Sequence, residues 1–173
     1  SQSVEPSELF ESLKKVGIAA SPEGGRPVLT GVYFNNQNDK TELAATDSYR
    51  LATYNLTNFP IKDAGILSFR SLNETARIFE QTEEKIEINS TERELHFYDK
   101  RFSASIRKLE GTFPEYGNLF PKETIFSIEV NKNDILNTLD RATVVAEGFI
   151  PVKLEVSDSE TLKITTINKE IGG

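Results

Sequence analysis

The stretch Leu43-Ala-Ala-Thr-Asp-Ser-Tyr-Arg-Leu-Ala52 joins two short apolar runs through a polar turn. Short apolar runs bounded by Asp and Ser are typical of β-strands connected by a turn. We therefore predict strands over Glu42–Thr46 and Arg50–Leu56, with Thr46-Asp47-Ser48 between them. Taken alone, this pattern is that of an ordinary polar hairpin turn.

Working outward, further segments have the length and composition of strands. They are Val28–Asn35, Ile66–Phe69, Lys85–Asn89, Leu95–Tyr98, Phe102–Lys108, Ile125–Val130, Val152–Ser157 and Leu162–Thr166. Apolar residues at helical spacing predict amphipathic helices over Pro6–Ile18, Ser71–Glu80 and a segment that starts after Asn131. Ser71-Leu72-Asn73-Glu74 fits a capping box, and Asn131 is a favourable N-cap.

The order of these elements repeats along the chain. A strand, a helix and three strands run from Ser1, and the same order begins again at Gly65; a strand, a helix and two strands follow Thr124. Two such units can join their sheets and pack both helices on one face. The sequence therefore predicts an α+β fold with helices on one face of antiparallel sheets. It predicts a complete domain over 1–121 and half of a second domain over 122–173.

The composition limits the chemistry that the chain can perform. Its 173 residues carry 20 Lys and Arg against 27 Asp and Glu, for a net charge of -7, with no Cys and one His. Disulfides, thiol catalysis and multi-histidine metal centres are therefore excluded, and His96 is expected to be a strand residue. No apolar run reaches the length of a membrane span. We predict no catalytic group, no metal site and no cofactor, although 27 acidic residues leave a hydrolase with paired carboxylates open as an alternative.

Five stretches carry a resemblance to a known family. Arg26-Pro-Val-Leu-Thr-Gly-Val32 and Leu43–Ala52 follow each other at the family's spacing. Ser71-Leu-Asn-Glu74, Phe113-Pro-Glu-Tyr116 with Leu119-Phe-Pro121, and Val152-Lys-Leu154 agree with the family in order and spacing. In these stretches the sequence resembles the bacterial DNA polymerase III β subunit, the sliding clamp. The resemblance implies a DNA-clamp fold in which a protomer has three domains and two protomers close into a ring. This chain would hold the middle domain and the first part of the third, and we do not expect it to close a ring alone.

The resemblance also implies a hydrophobic pocket that binds short extended peptides carrying Gln, Leu and Phe. In the family this pocket receives such peptides from polymerases, the clamp loader and repair proteins. Apolar residues would form its floor and polar ones would orient the peptide. Carried over to this sequence, the peptide-binding residues are Leu29, Thr46, Tyr49, Arg50, Leu51, Pro114 and Leu119. Asn118 stands where many family members have Arg, so we expect weakened affinity.

Basic residues in or beside the three helices form the second predicted site. They are Lys14, Lys15, Arg70, Arg77 and Arg141. Considered singly, each is explained as a solvated charge on a helix surface. The resemblance instead implies that they face duplex DNA and contact its phosphates weakly and without sequence preference.

The resemblance thus implies a non-enzymatic, cytoplasmic processivity factor of bacterial DNA replication. The whole protein is expected to be a homodimeric ring around DNA, with no role at a membrane. A stand-alone peptide-binding adaptor of clamp-like fold remains the alternative from another class.

Overall fold

The computed structural model describes residues 2–37, 40–57, 59, 61, 63–82, 84–124, 126–144, 152–156 and 161–166, with the backbone alone at residues 2 and 37. The chain divides into two compact units, Ser1–Tyr116 and Gly117–Gly173. Each unit is described by itself below.

The first unit repeats one order of elements, a strand, a helix and three strands. The first repeat consists of β1 (Gln2–Val4), α1 (Pro6–Gly17), β2 (Gly31–Gln37), β3 (Lys40–Thr46) and β4 (Leu51–Leu56). The second consists of β5 (Gly65–Ser68), α2 (Phe69–Ile78), β6 (Ile86–Ser90), β7 (Glu94–Tyr98) and β8 (Ser103–Arg107). The predicted α+β repeat is confirmed.

The two repeats exchange their first strands. One antiparallel sheet has the order β4-β3-β2-β5 and the other has the order β1-β6-β7-β8. Strand β5 of the second repeat thus completes the first sheet, and β1 of the first repeat completes the second. Leu67 and Lys108 form a bridge between the sheets, and the Leu109 N–H donates to the Ile66 carbonyl at 2.8 Å. The edge of β5 that β2 leaves free is therefore partly covered by the chain that follows β8.

A single core lies between the two helices and both sheets. Helix α1 contributes Leu9, Leu13 and Val16, and α2 contributes Leu72 and Ala76, all of them buried. The sheets contribute Val32, Phe34, Leu43, Ala45, Ile86, Ile88, Leu95, Phe97 and Ile106. Each fully buried aliphatic side chain of this kind stabilises a fold by roughly 1.5–3 kcal/mol. Because both repeats supply residues to this core, they fold as one unit.

Two local predictions differ from the structure. Helix α2 begins at Phe69 rather than Ser71, and its N-cap is Ser68, whose Oγ accepts from the Ser71 N–H at 3.4 Å. The predicted capping box was wrong because β5 runs into the helix without a loop, so Ser71 already lies in the first turn. The predicted strand Val28–Asn35 starts later, at Gly31, because Pro27–Thr30 forms a 3₁₀ turn.

The second unit contains, over its described residues, a 3₁₀ turn (Gly117–Leu119), α3 (Lys132–Val144) and an antiparallel pair, β9 (Val152–Val156) and β10 (Leu162–Thr166). Helix α3 begins after Asn131 as predicted, since Asn131 Oδ1 accepts from the Asn133 N–H at 2.9 Å. The strand predicted over Ile125–Val130 does not form over 126–130, where every residue is exposed and none joins β9 or β10. Ile125 and Ser157 lie outside the described residues. No helix in the described part of the chain is long and apolar enough to cross a bilayer.

Candidate functional site

The sheet β4-β3-β2-β5 has a second face, turned away from the helices, which we call the outer face. The strand register places Tyr33 opposite both Ala44 and Ile66, which forms one row across β3, β2 and β5. Side chains alternate between the two faces of a strand, so residues two positions away on β3 share this face. The neighbouring rows are therefore Asn35 with Glu42 on one side and Thr46 with Leu51 on the other.

The chain that follows β8 covers part of this face. Phe113 and Tyr116 are buried there, and the ring of Phe113 stacks on Tyr33 with the centroids 5.1 Å apart. Phe113 also meets the ring of Tyr116 edge-on at 6.0 Å. We call the residues packed here the outer cluster: Val28, Tyr33, Ala44, Leu51, Ile66, Leu109, Phe113 and Tyr116.

The hydroxyl of Tyr116 is bonded at both its donor and its acceptor positions. It donates to Glu42 Oε1 at 2.6 Å and accepts from Asn35 Nδ2 at 2.8 Å. Burial raises the pKa of Tyr116 well above its ordinary value, and the hydrogen bond to Glu42 raises it further. The hydroxyl therefore stays protonated and holds the end of the first unit against β2 and β3.

The turn between β3 and β4 is held by its own side chains. Thr46 Oγ1 donates to the Arg50 carbonyl at 2.7 Å and accepts from the Ser48 N–H at 3.1 Å. Asp47 accepts from the Tyr49 and Arg50 N–H groups, both at 2.9 Å, and from Arg50 Nε at 3.0 Å. Burial alone would raise the pKa of Asp47, but these hydrogen bonds outweigh it and the pKa is lowered. The bonds fix the backbone of the turn and draw the Arg50 guanidinium toward it.

The structure brings some of the predicted peptide-binding residues to one face. Thr46 and Leu51 lie opposite each other on the outer face; Thr46 is only 8% exposed, and Leu51 packs in the outer cluster. Pro114 is exposed between Phe113 and Tyr116, the two residues that anchor this segment in the cluster.

The remaining predicted residues lie elsewhere. Tyr49 is 98% exposed on the turn, and Arg50 is also exposed. Leu29 is only 4% exposed, so its side chain offers almost no surface, and Val28 is the residue of that 3₁₀ turn that packs in the outer cluster. Leu119 belongs to the second unit, where it is 69% exposed.

A cavity of about 480 Å³ lies beside the outer cluster and differs from the predicted pocket. Its lining includes Tyr33, Ile66 and Phe113 from the cluster and the basic residues Arg93 and Lys108. None of the seven predicted peptide-binding residues lines this cavity.

The predicted DNA-facing residues of the first unit all lie exposed on the two helices. They are Lys14, Lys15, Arg70 and Arg77. Acidic neighbours reduce the positive charge that this surface presents, because Lys15 lies 4.0 Å from Glu11 and Arg77 lies 3.2 Å from Glu74.

The charged residues of the two helices together form a weakly basic surface. The charges of α1 cancel, since Glu8 and Glu11 balance Lys14 and Lys15, and those of α2 leave one positive charge. Arg141 is exposed on α3 of the second unit and donates to Thr138 Oγ1 at 3.1 Å.

Comparison with known families identifies the family to which the chain belongs. Residues 3–115 match the family model described as the DNA polymerase III beta subunit, central domain. The chain belongs to the DNA polymerase III beta subunit family. The matched range ends one residue before Tyr116, where the first compact unit also ends.

Two beta sliding clamps and one solved structure are similar to almost the whole chain. The beta sliding clamp of Halalkalibacterium halodurans is 34% identical over 95% of this chain, and that of Bacillus subtilis is 31% identical over 96%. The crystal structure of the Bacillus subtilis sliding clamp covers 98% of this chain with a TM-score of 0.86 and 28% identity. The chain spans about half the length of the curated relatives it matches, 45% and 46% of these two.

Sequence reasoning missed several residues of this beta subunit surface. It selected Pro114 but not the aromatic residues on either side of it, and it did not predict that Glu42 and Asn35 bind Tyr116. The signal lay in β2, where Tyr33 and Asn35 alternate with the core residues Val32 and Phe34. An aromatic residue on the face opposite the core indicates that something covers that face.

Proposed function

We propose that this chain is part of a sliding clamp that acts as a processivity factor in bacterial DNA replication. The observation that carries the proposal is the match of residues 3–115 to the central domain of the DNA polymerase III beta subunit. On this proposal residues 1–121 are the middle domain and 122–173 the first part of the third. The whole protein is a cytoplasmic homodimeric ring around duplex DNA, and this chain alone does not close the ring.

The proposed mechanism is topological rather than catalytic. A protein that surrounds its DNA cannot leave sideways, so it needs no strong phosphate contacts. A polymerase bound to the ring stays at a high effective concentration near the primer end. The almost balanced charges on α1 and α2 support weak contact with DNA, because each phosphate contact would add a salt-dependent increment to affinity.

The outer face is the proposed binding site for partner peptides. Leu51 and Pro114 would contact a Gln-Leu-Phe-type peptide beside Thr46, with Tyr49 and Arg50 at its polar side. Such peptides concentrate their binding energy in a few buried apolar anchors. The cluster around Leu51 supplies an apolar floor of the required kind.

Isothermal titration with a Gln-Leu-Phe peptide tests this site. We expect binding that is lost when the Leu and Phe of the peptide are replaced by Ala, and that is weaker than binding to the full-length protein. Leu51→Ala should weaken it, whereas Tyr54→Ala should not, because Tyr54 pairs with the core residue Leu43 and so lies on the opposite face of β4. Equal loss in both variants, or no binding by the wild type, would contradict the proposed site.

Fluorescence anisotropy with labelled duplex DNA tests the helix face. We expect very weak binding by this chain, reduced further by Arg70→Ala and Arg77→Ala. Lys100→Ala serves as a charge-matched control, because Lys100 is exposed and pairs with Glu84 rather than lying on a helix. Sub-micromolar affinity at physiological salt would contradict the proposal. Native mass spectrometry of the complete gene product separates a ring-shaped dimer from a monomeric adaptor.

A further inference from the structure

We infer that Tyr116 is a positioning residue whose hydroxyl, held by Glu42 and Asn35, fixes Pro114 at the peptide-binding surface. This inference rests on the proposed function, since Pro114 matters only if peptides bind there. It adds to that function a determinant of affinity that would not itself touch the peptide.

The segment around Pro114 is held at both ends. On one side Phe113 is buried and stacks on Tyr33. On the other side Tyr116 is buried and bonded through its hydroxyl. Pro114 and Glu115, both exposed, are all that lies between these anchors. Proline has a fixed φ, so the anchors at Phe113 and Tyr116 leave the ring of Pro114 little freedom.

The hydroxyl bonds are strong enough to matter. The bond to Glu42 is short, 2.6 Å, and its acceptor is a carboxylate. Hydrogen bonds to charged groups contribute more to stability than neutral ones. Removing the Tyr116 hydroxyl would also leave the half-buried Glu42 carboxylate without this donor, which is costly. Glu42 and Asn35 lie directly opposite each other on β3 and β2, so both partners are held by the sheet itself.

The anchor and the proposed binding surface share one strand. Glu42, Ala44 and Thr46 lie on the outer face of β3, and four residues of strand span about 13 Å. Tyr116 is bonded at the Glu42 end, while Thr46 and its partner Leu51 lie at the other end. Leu51 packs in the same outer cluster as Phe113 and Tyr116. A shift of the aromatic segment would therefore move Pro114, which lies between Phe113 and Tyr116, relative to the outer face that carries Leu51.

The test compares peptide affinity across variants that change only this bond. Tyr116→Phe keeps the ring and removes the hydroxyl. We expect it to weaken binding of the Gln-Leu-Phe peptide by up to about tenfold, because the peptide must then order a segment that the lost hydrogen bond no longer holds. Glu42→Ala should weaken binding similarly, while Glu42→Gln, which keeps an oxygen acceptor, should restore most of it. The double variant Tyr116→Phe with Glu42→Ala should lose no more than either single change.

A matched control removes a comparable hydroxyl elsewhere. Tyr98 accepts from Asn89 Nδ2 at 2.9 Å within the other sheet, so Tyr98→Phe should leave peptide affinity unchanged. Thermal unfolding confirms that each variant is folded at the titration temperature. Unchanged affinity in Tyr116→Phe, with binding by the wild type intact, overturns the inference alone.

Hydrogen exchange provides a readout that does not depend on the peptide. We expect the amides of residues 113–117 to exchange faster in Tyr116→Phe than in wild type or in Tyr98→Phe. Unchanged exchange in this segment would overturn the inference even if affinity fell. If wild-type protein binds no peptide while exchange still rises, the proposed function fails and Tyr116 is only a structural anchor.

Discussion

Gly17, the last residue of α1, lies so close to Phe69 at the start of α2 that a Cβ on Gly17 would fall 2.0 Å from Phe69 Cε2. Two helices from different repeats meet at this point, and the absence of a side chain permits the approach. We expect Gly17→Ala to lower the free energy of unfolding by about 1–3 kcal/mol, because the ring must move within a packed core. Urea denaturation measures the change.

Gly24→Ala is the control for this substitution. No atom lies within 4 Å of the position where a Cβ on Gly24 would be, so the same chemical change there meets no obstacle. Equal losses of stability in Gly17→Ala and Gly24→Ala would show that the approach of Phe69 is not what constrains Gly17.

The N-terminus of α2 predicts different effects for substitutions at two serines. Ser68→Ala removes the hydroxyl that accepts from the Ser71 N–H, and we expect it to cost about 1 kcal/mol of unfolding free energy. Ser71→Ala should have a much smaller effect, because Ser71 lies inside the first turn of the helix. Thermal or urea unfolding of both variants measures the difference; a larger loss at Ser71 would favour the capping box that the sequence predicts.

Asp47 should make the free energy of unfolding depend on pH. Its folded-state pKa lies below the ordinary value of 3.8, so its contribution is fully present above that value and is lost as pH falls through the lower folded-state pKa. Asp47→Asn cannot ionise, so we expect the difference in unfolding free energy between wild type and variant to shrink as pH is lowered below 4. A difference between the two proteins that does not change with pH would contradict this prediction.

Ser48 adopts a positive φ of 79°, which is unfavourable for residues with a side chain. We expect Ser48→Val to unfold at lower denaturant than Ser48→Gly, with a difference of about 1–2 kcal/mol, because Gly tolerates this conformation and a β-branched residue does not. The same two substitutions at Ser103, an exposed residue of β8, should give the opposite order, since Val favours strands. The same order at both positions would rule out backbone strain as the cause.

Much of the fold could be predicted because its determinants are local. The helical spacing of Leu9, Leu13 and Val16 predicted α1, and all three are buried. The repeated order of elements predicted paired sheets under two helices. The exchange of β1 and β5 could not be predicted, since which strand completes which sheet depends on contacts between distant segments. The strand predicted over Ile125–Val130 does not form over 126–130 for a related reason, because no strand in the described part of the chain pairs with these residues.

The candidate site was predicted less completely. Thr46 and Leu51 were carried over from the family resemblance, and their pairing follows from the short hairpin. Leu29 was carried over from the Arg26–Val32 stretch that resembles the family, but the 3₁₀ turn buries it and places Val28 in the outer cluster. The bond between Tyr116 and Glu42 joins residues 74 positions apart, and no local pattern indicates such a contact.

The exchange of first strands means that neither half of the first unit is self-sufficient. A backbone cut in the connection between Leu56 and Gly65 would leave one piece whose sheet lacks its β5 edge and another whose sheet lacks β1. Each piece would carry the strand that the other needs. The halves should therefore behave as complementary fragments, poorly ordered apart and able to reconstitute the native unit when mixed.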